Sequence, residues 1–301
     1  MQYGTGGFMA RLVQQHPSAR SVFEVGVEII EESRKNQVRE SSEERYGSSL
    51  LGKLLTDLTL VKHEIREHAH NQKGAIGEYK VSHAFLEDLS EEWMLFTPFV
   101  IFPRPGDYAQ LDHLLIGPPG LFIVETKAWQ GSFLGKRDVW SRRVADKWVE
   151  CDSPTHQLSR HHYWLQQWLE HHSHPTLPKN MAELIEAYVV FTEAKWVKAN
   201  ACAFGVFEGI GEAIATFTKN TRRRLTTTQI SYLVEQMTAP PLPIHKSAVR
   251  PMSLSAASPE IPTCPLCKVP MVKRTAKKGD TKGESFWGCS RYPHCRQIVH
   301  V

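Results

Sequence analysis

The chain has 301 residues, enough for about two folded units, with 41% apolar and 23% charged side chains and a mean hydropathy of -0.35, so a single small module and wholesale disorder are both excluded. No stretch approaches the ~18 uncharged apolar residues of a membrane span and no leader pattern opens the chain, so a cytoplasmic protein with no membrane partner is expected. The formal charge of +4 is uneven: from Thr263 onward eight Lys and Arg face two acids, so the tail carries +6 and leaves -2 for the rest. That asymmetry points to a polyanion-binding appendage, with nucleic acid as the first candidate.

Residues 1–66 give weak local signals and read as an N-terminal, partly helical region. Leu51, Leu54, Leu58, Val61 and Ile65 recur at spacings of three and four, one apolar stripe on a helix. Two heptads are fewer than a coiled-coil dimer usually shows, so packing on the following domain is favoured over homo-oligomerisation through this helix. Residues 67–238 then alternate as α/β. A helix over 75–89 places Ile76, Tyr79 and Leu86 at apolar positions, strand-like runs follow at 95–102, 110–116, 121–127 and 187–192, and a short helix spans 227–237. Residues 239–262 contain six prolines and read as an extended linker to a last unit at 263–301.

Two apolar runs flank Gly117-Pro118-Pro119-Gly120, which predicts a hairpin with a four-residue loop. Pairing Ile116 with Leu121 sets Asp112 opposite Glu125 and Gln110 opposite Lys127, with all four side chains on one face because strand side chains alternate. Opposed carboxylates repel at ~5 Å between Cβ atoms. A hard divalent cation offsets that repulsion, and Mg²⁺ takes carboxylate oxygens, several waters and phosphate oxygens. Lys127 on the same face would orient or deprotonate an attacking water. An ordinary salt-bridged polar edge is the competing reading. Against it, Leu114 to Ile116 and Phe122 to Val124 are apolar enough to be buried on both faces, so charges at their ends require a reason.

Asp112 followed by Glu125-Thr126-Lys127 resembles the bipartite motif of the PD-(D/E)xK nuclease superfamily. More narrowly, Gly74-Ala-Ile-Gly-Glu78, Gln110-Leu-Asp112-His113, Glu125-Thr-Lys127 with Gly131, and Ser153-Pro-Thr-His-Gln157 resemble the NERD, or nuclease-related, domain over roughly residues 70–192. Leu111 stands where the superfamily name has proline. The resemblance implies a restriction-endonuclease-like α/β fold, a mixed sheet between helices, with Asp112 and Glu125 binding Mg²⁺ or Mn²⁺ and Lys127 assisting the water. Glu78 shares a helical stripe with Val81, Phe85 and Leu89 and therefore points inward; the resemblance implies a third acid supporting metal or Lys127, and an inward Glu paired with a core Arg or Lys is the alternative. Ser153-Pro154 is a helix start, and Gln157 faces the domain body, either to contact phosphate or a metal-bound water or to cap a neighbouring strand. The histidines at 156, 161, 162, 171, 172 and 174 read as a solvated helical face and not a metal site. His113 points away from Asp112's face and takes no catalytic role.

The tail carries Cys264-Pro-Leu-Cys267 and Cys289-Ser-Arg-Tyr-Pro-His-Cys295, spacings that match a tetrahedral Cys₄ zinc site in a segment too polar to fold unaided. Cys151 and Cys202 are read as small core residues. With Met271, Phe286-Trp287-Gly288 and Tyr292-Pro293, the four ligands resemble the C-terminal zinc finger of bacterial type I topoisomerases, which implies single-stranded DNA as partner. Aromatics beside cations supply the rationale: bases stack on an exposed Trp287 while Lys273, Arg274, Lys277, Lys278 and Arg291 track phosphates. The expected function is a metal-dependent deoxyribonuclease that hydrolyses phosphodiesters while its zinc ribbon holds DNA. A non-catalytic nucleic-acid-binding protein on the same fold and an RNA-directed nuclease are the alternatives.

Overall fold

The computed structural model describes residues 9–47, 49–104, 107–241, 250–251, 262–264, 271–276, 283, 285–289 and 296–300. Strand β1 (Arg11–Leu12) leads into helix α1 (Pro17–Tyr46), which starts with Pro17 in the first turn, where a missing N–H costs nothing. Helix α2 (Leu50–Asp88) runs unbroken for 39 residues. It merges the two helices predicted at 51–65 and 75–89 and crosses position 67 without interruption. Helix α1 lies along α2 and also touches β3 and β4, defined next. The side chains of the stripe from Leu51 to Ile65 lie outside the described residues.

The α/β unit continues through β2 (Met94–Phe96), β3 (Phe99–Arg104), β4 (Asp107–Leu111), β5 (His113–Gly117), β6 (Gly120–Lys127), β7 (Gly131–Lys136), β8 (Val139–Val144) and β9 (Lys147–Cys151). Helix α3 (Pro154–His171), β10 (Ile185–Phe191), β11 (Ala194–Asn200), β12 (Gly205–Phe207), α4 (Ile210–Lys219) and α5 (Thr227–Thr238) complete it. The central sheet is mixed and six-stranded, in the order β1-β2-β5-β6-β10-β12. Its centre is the antiparallel β5–β6 hairpin, with β10 parallel to β6. A second sheet, β11-β7-β8-β9, grows out of the ends of β6 and β10.

Both faces of β6 are buried. Leu121 and Ile123 enter a core shared with α3 and α5, and Phe122 and Val124 enter a second core beneath α2 and α4. The hairpin follows the predicted register from Ile116↔Leu121 to His113↔Val124, but Gly117 and Gly120 also pair, so the loop is two residues and not four. Register is lost at Asp112, where the chain leaves the central sheet. Gln110 pairs with Val100 in β4–β3 and not with Lys127. On α2, Val81, Phe85 and Leu89 are buried as expected, whereas Ile76 (56% exposed) and Tyr79 (66%) face solvent, because only one narrow stripe of this helix meets the sheet.

In the proline-rich segment, β13 (Arg250–Pro251) pairs in parallel with Asp107 and Tyr108 of β4, so this part of the predicted linker is docked. The C-terminal unit is a three-stranded antiparallel sheet of β14 (Met271–Thr275), β15 (Ser285–Cys289) and β16 (Ile298–His300). Among the described residues no helix is long and apolar enough to cross a membrane.

Candidate active site

The side-chain constellation lies at the C-terminal end of β6, between α2 on one face of the sheet and α3 on the other, at the carboxyl ends of two parallel strands, where open α/β sheets bind ligands. Alternation along β6 sends Glu125 and Lys127 to the same face as Leu121 and Ile123, toward α3. Glu125 is 1% exposed. Lys127 Nζ donates to Glu125 Oε1 at 2.6 Å and to Gln157 Oε1 at 3.0 Å. Gln157 sits in the first turn of α3, which Ser153 caps by accepting the His156 N–H. Asp112, at the bend that ends β4, accepts the Thr126 N–H through Oδ2 at 2.8 Å, which ties the bend to the middle of the Glu125-Thr-Lys127 sequence.

Glu78 reaches this end of β6 from α2, on the far face of the sheet. A Cβ on Gly77 would meet Ala128 Cβ at 2.9 Å and Thr192 Oγ1 at 3.2 Å, so only glycine lets the helix approach this closely. Burial and repulsion from Glu125 raise the carboxyl pKa of Glu78, while Lys127 opposes the rise. Burial, then Glu125 and Glu78, push Asp112 well above the ordinary carboxylate range. Burial would raise Glu125 as well, but Lys127 and His161 outweigh it and hold that carboxylate down to about 2. For Lys127 burial favours the neutral amine, yet Glu125 and Asp112 prevail and raise its pKa.

His161 is the residue that sequence reasoning missed. It lies one helical turn after Gln157, is 2% exposed, and sets Nδ1 at 3.4 Å from Glu125 Oε2. Among the described residues neither of those two buried atoms has a hydrogen-bond partner of good geometry. Arg160, half-buried beside them, also feels the Glu125 charge. The solvated histidine face is corrected in part: His171 and His174 are exposed, but His161 and His162 are buried because α3 is covered almost all around, by the central sheet, by β3 and by the C-terminal strand β14. His113 does point away from the carboxylates, as expected. It is fully buried, bonded at 3.1 Å to Thr97 Oγ1 and at 2.9 Å to Thr126 Oγ1, and steadies the strand end from behind.

Carboxylate oxygens are the donors a hard divalent cation takes. Three acids gather at one strand end, where repulsion from Glu125 adds to burial in raising the pKa of Asp112 and of Glu78, and among the described residues Glu125 Oε2 is a buried oxygen that only the His161 ring faces, at 3.4 Å. Among the described residues no three His, Cys, Asp or Glu side chains are close enough to hold an ion by themselves.

In the C-terminal unit Cys264 and Cys289 are buried together with Met271. Cys267, Cys295, Lys277, Lys278 and Arg291 lie outside the described residues, as does the side chain of Lys273. Arg274 is exposed. Trp287 departs from the expected exposure: it is half-buried, with its ring centroid 5.4 Å from that of Tyr163 on α3, because the ribbon packs on that helix. Cys151 and Cys202 are half-buried at the edge of the main core.

A mixed sheet between helices, with two acids and a lysine at the end of its central hairpin, defines a nuclease-like α/β domain, here followed by a small zinc-ribbon sheet. Residues 73–192 match the family model of the nuclease-related domain (NERD), and residues 261–301 match that of the topoisomerase DNA-binding C4 zinc finger. An uncharacterized protein of Bacillus anthracis is 26% identical over 99 residues, 32% of this chain, and the match spans about half (47%) of the relative's length. No solved structure matches the chain.

Proposed function

We propose that this chain is a Mg²⁺- or Mn²⁺-dependent deoxyribonuclease whose zinc ribbon binds single-stranded DNA. The observation that carries the reading is the Lys127 ammonium bonded at once to Glu125 and Gln157, with Asp112 and Glu78 gathered around the same strand end. Asp112 and Glu125 would hold the metal, and since Mg²⁺ keeps several waters and takes substrate phosphate oxygens, two carboxylates suffice. A divalent cation bound there supplies charge neutralisation at the phosphate and an acidified water. An ammonium has three N–H donors. Lys127 spends two on Glu125 and Gln157, and the third orients the attacking water and stabilises negative charge developing on the phosphate. Gln157 holds that ammonium in place from α3. Glu78 adds negative charge behind Lys127, and His161 backs the second oxygen of Glu125. Cys264, Cys267, Cys289 and Cys295 would bind a structural Zn²⁺, the chemistry their spacing suits.

The test is cleavage of supercoiled plasmid and of single-stranded DNA by the purified chain with Mg²⁺, Mn²⁺ or EDTA, alongside Asp112→Ala. Divalent-dependent cutting that disappears in the variant is the expected result. If neither protein cuts while both bind DNA, the chain is a binding protein on a nuclease fold. Cutting of RNA in preference to DNA would redirect the substrate assignment.

A further inference from the structure

Two of the chain's eight tryptophans stand apart from the core, Trp148 on β9 and Trp196 on β11, at 44% and 39% exposure. They belong to the outermost strands of the sheet β11-β7-β8-β9, so they are not cross-strand neighbours, yet their ring centroids are 6.3 Å apart with planes at 49°. Pairing explains how. Trp196 is level with Ser132, and Trp148 is level with Arg143, so the two rings lean toward each other above β7 and β8. A β-bulge between Ala194 and Trp196 sets this up. Without the extra residue Trp196 would pair with Phe133 and turn into the core; with it, Val197 takes that place and Trp196 turns outward.

The sheet around these rings is basic. Residues 131–151 and 194–200 contain seven Lys and Arg against three Asp and Glu, a net +4, and with the +6 of the ribbon this leaves -6 for the rest of the chain. One of the three acids, Asp138, is buried and accepts the Ala203 N–H. On the face that carries the tryptophans Lys136, Lys198 and Arg143 are exposed, with one acid, Glu150, in the same row as Lys198. Both β7 and β11 issue from the strand ends that carry Lys127 and its pair Phe191, so Ser132 is five residues from Lys127, at most about 17 Å of extended chain.

We propose that this face is a second single-strand site, a stacking platform on which one or two bases of the DNA lie against Trp148 and Trp196 while Lys136 and Lys198 meet the flanking phosphates. Exposed aromatics among cations suit a polyanion with flat apolar faces, and base stacking is indifferent to sequence. The platform rests on the nucleic-acid reading above and adds that the strand is gripped beside the cleavage site as well as at the ribbon.

The test measures anisotropy of labelled oligo-dT in EDTA with the full chain, its Trp148→Ala, Trp196→Ala and double variants, and Trp148→Phe. Each alanine variant is expected to bind about tenfold more weakly, Trp148→Phe close to wild type, and all of them equally on an abasic oligonucleotide, which offers phosphates without bases. Exposed positions should leave the melting temperature unchanged. If the wild type binds oligo-dT and the alanine variants bind it equally well, the platform is wrong and the broader DNA reading stands. If the wild type binds no nucleic acid, both fall. A concentration-dependent dimer that the double variant abolishes would make this face an interface between copies and overturn the platform.

Discussion

Gly77 of α2 lies against Ala128, just past the end of β6, so closely that a Cβ on the glycine would approach the alanine Cβ to 2.9 Å. This contact fixes the height of the helix above the sheet and with it the reach of Glu78. Gly74, one turn earlier, has only the Glu78 Oε1 atom at 4.0 Å from the same constructed position. The two glycines therefore respond oppositely to alanine. Gly74→Ala should stabilise by up to ~1 kcal/mol through helix propensity, whereas Gly77→Ala overpacks the junction and should cost ~1–3 kcal/mol, together with most of the cleavage activity. Melting temperatures and plasmid cleavage of the two variants check this; similar behaviour of both would deny the close contact its role.

Glu125 and Lys127 form an ion pair with 2% and 14% of their side chains exposed. Removing one partner strands a charge away from water, which typically costs ~3–5 kcal/mol. Lys127→Met should fall in that range because it leaves three acids together, Glu125→Gln should cost less because Asp112 and Glu78 still face the ammonium, and the double variant should cost clearly less than the sum of the two. Urea unfolding of the four proteins measures the coupling. All three variants should fail to cut DNA, so the coupling shows in stability and not in activity.

His161 touches the carboxylate proposed to hold the metal and not the reacting atoms, so it is a positioning residue. His161→Phe keeps the volume beside Trp164 and removes the ring nitrogen facing Glu125. Partners of metal-binding carboxylates commonly change metal affinity or activity by ~10–100-fold. The Mg²⁺ concentration giving half-maximal cleavage should rise within that range, while His171→Ala, at an exposed position of the same helix, should leave it unchanged. A shift in neither variant would remove His161 from the site.

The β5–β6 hairpin and its register to His113 were legible because two apolar runs with a Gly-Pro-Pro-Gly turn admit one pairing, and a slip by one residue would turn Glu125 to the opposite face. Asp112's departure from the sheet was not legible, since apolar alternation runs on through Ala109 and Leu111 although these belong to another sheet. His161 was hidden for a different reason: α3 is buried on nearly every side, so polarity no longer marks its outer face. The β7–β9 strands escaped because they are largely exposed and turn at Arg137, Asp138 and Ala145, non-glycine residues with positive φ that carry no turn signature.

His162 faces away from the carboxylates toward the ribbon, and its folded-state pKa is lowered from 6.5 to about 4 by burial, with the Arg274 guanidinium acting the same way and a hydrogen bond with the Ile185 backbone opposing it. The unfolded chain therefore takes up this proton before the folded chain does. Stability from keeping His162 neutral is complete above about pH 6.5 and drains away as pH falls toward 4, by about 3 kcal/mol over the window. His162→Gln removes the titrating group. Its melting temperature should be lower than wild type at pH 7.5 but fall less steeply between pH 6.5 and 4, and parallel curves for the two proteins would show that another group governs acid lability.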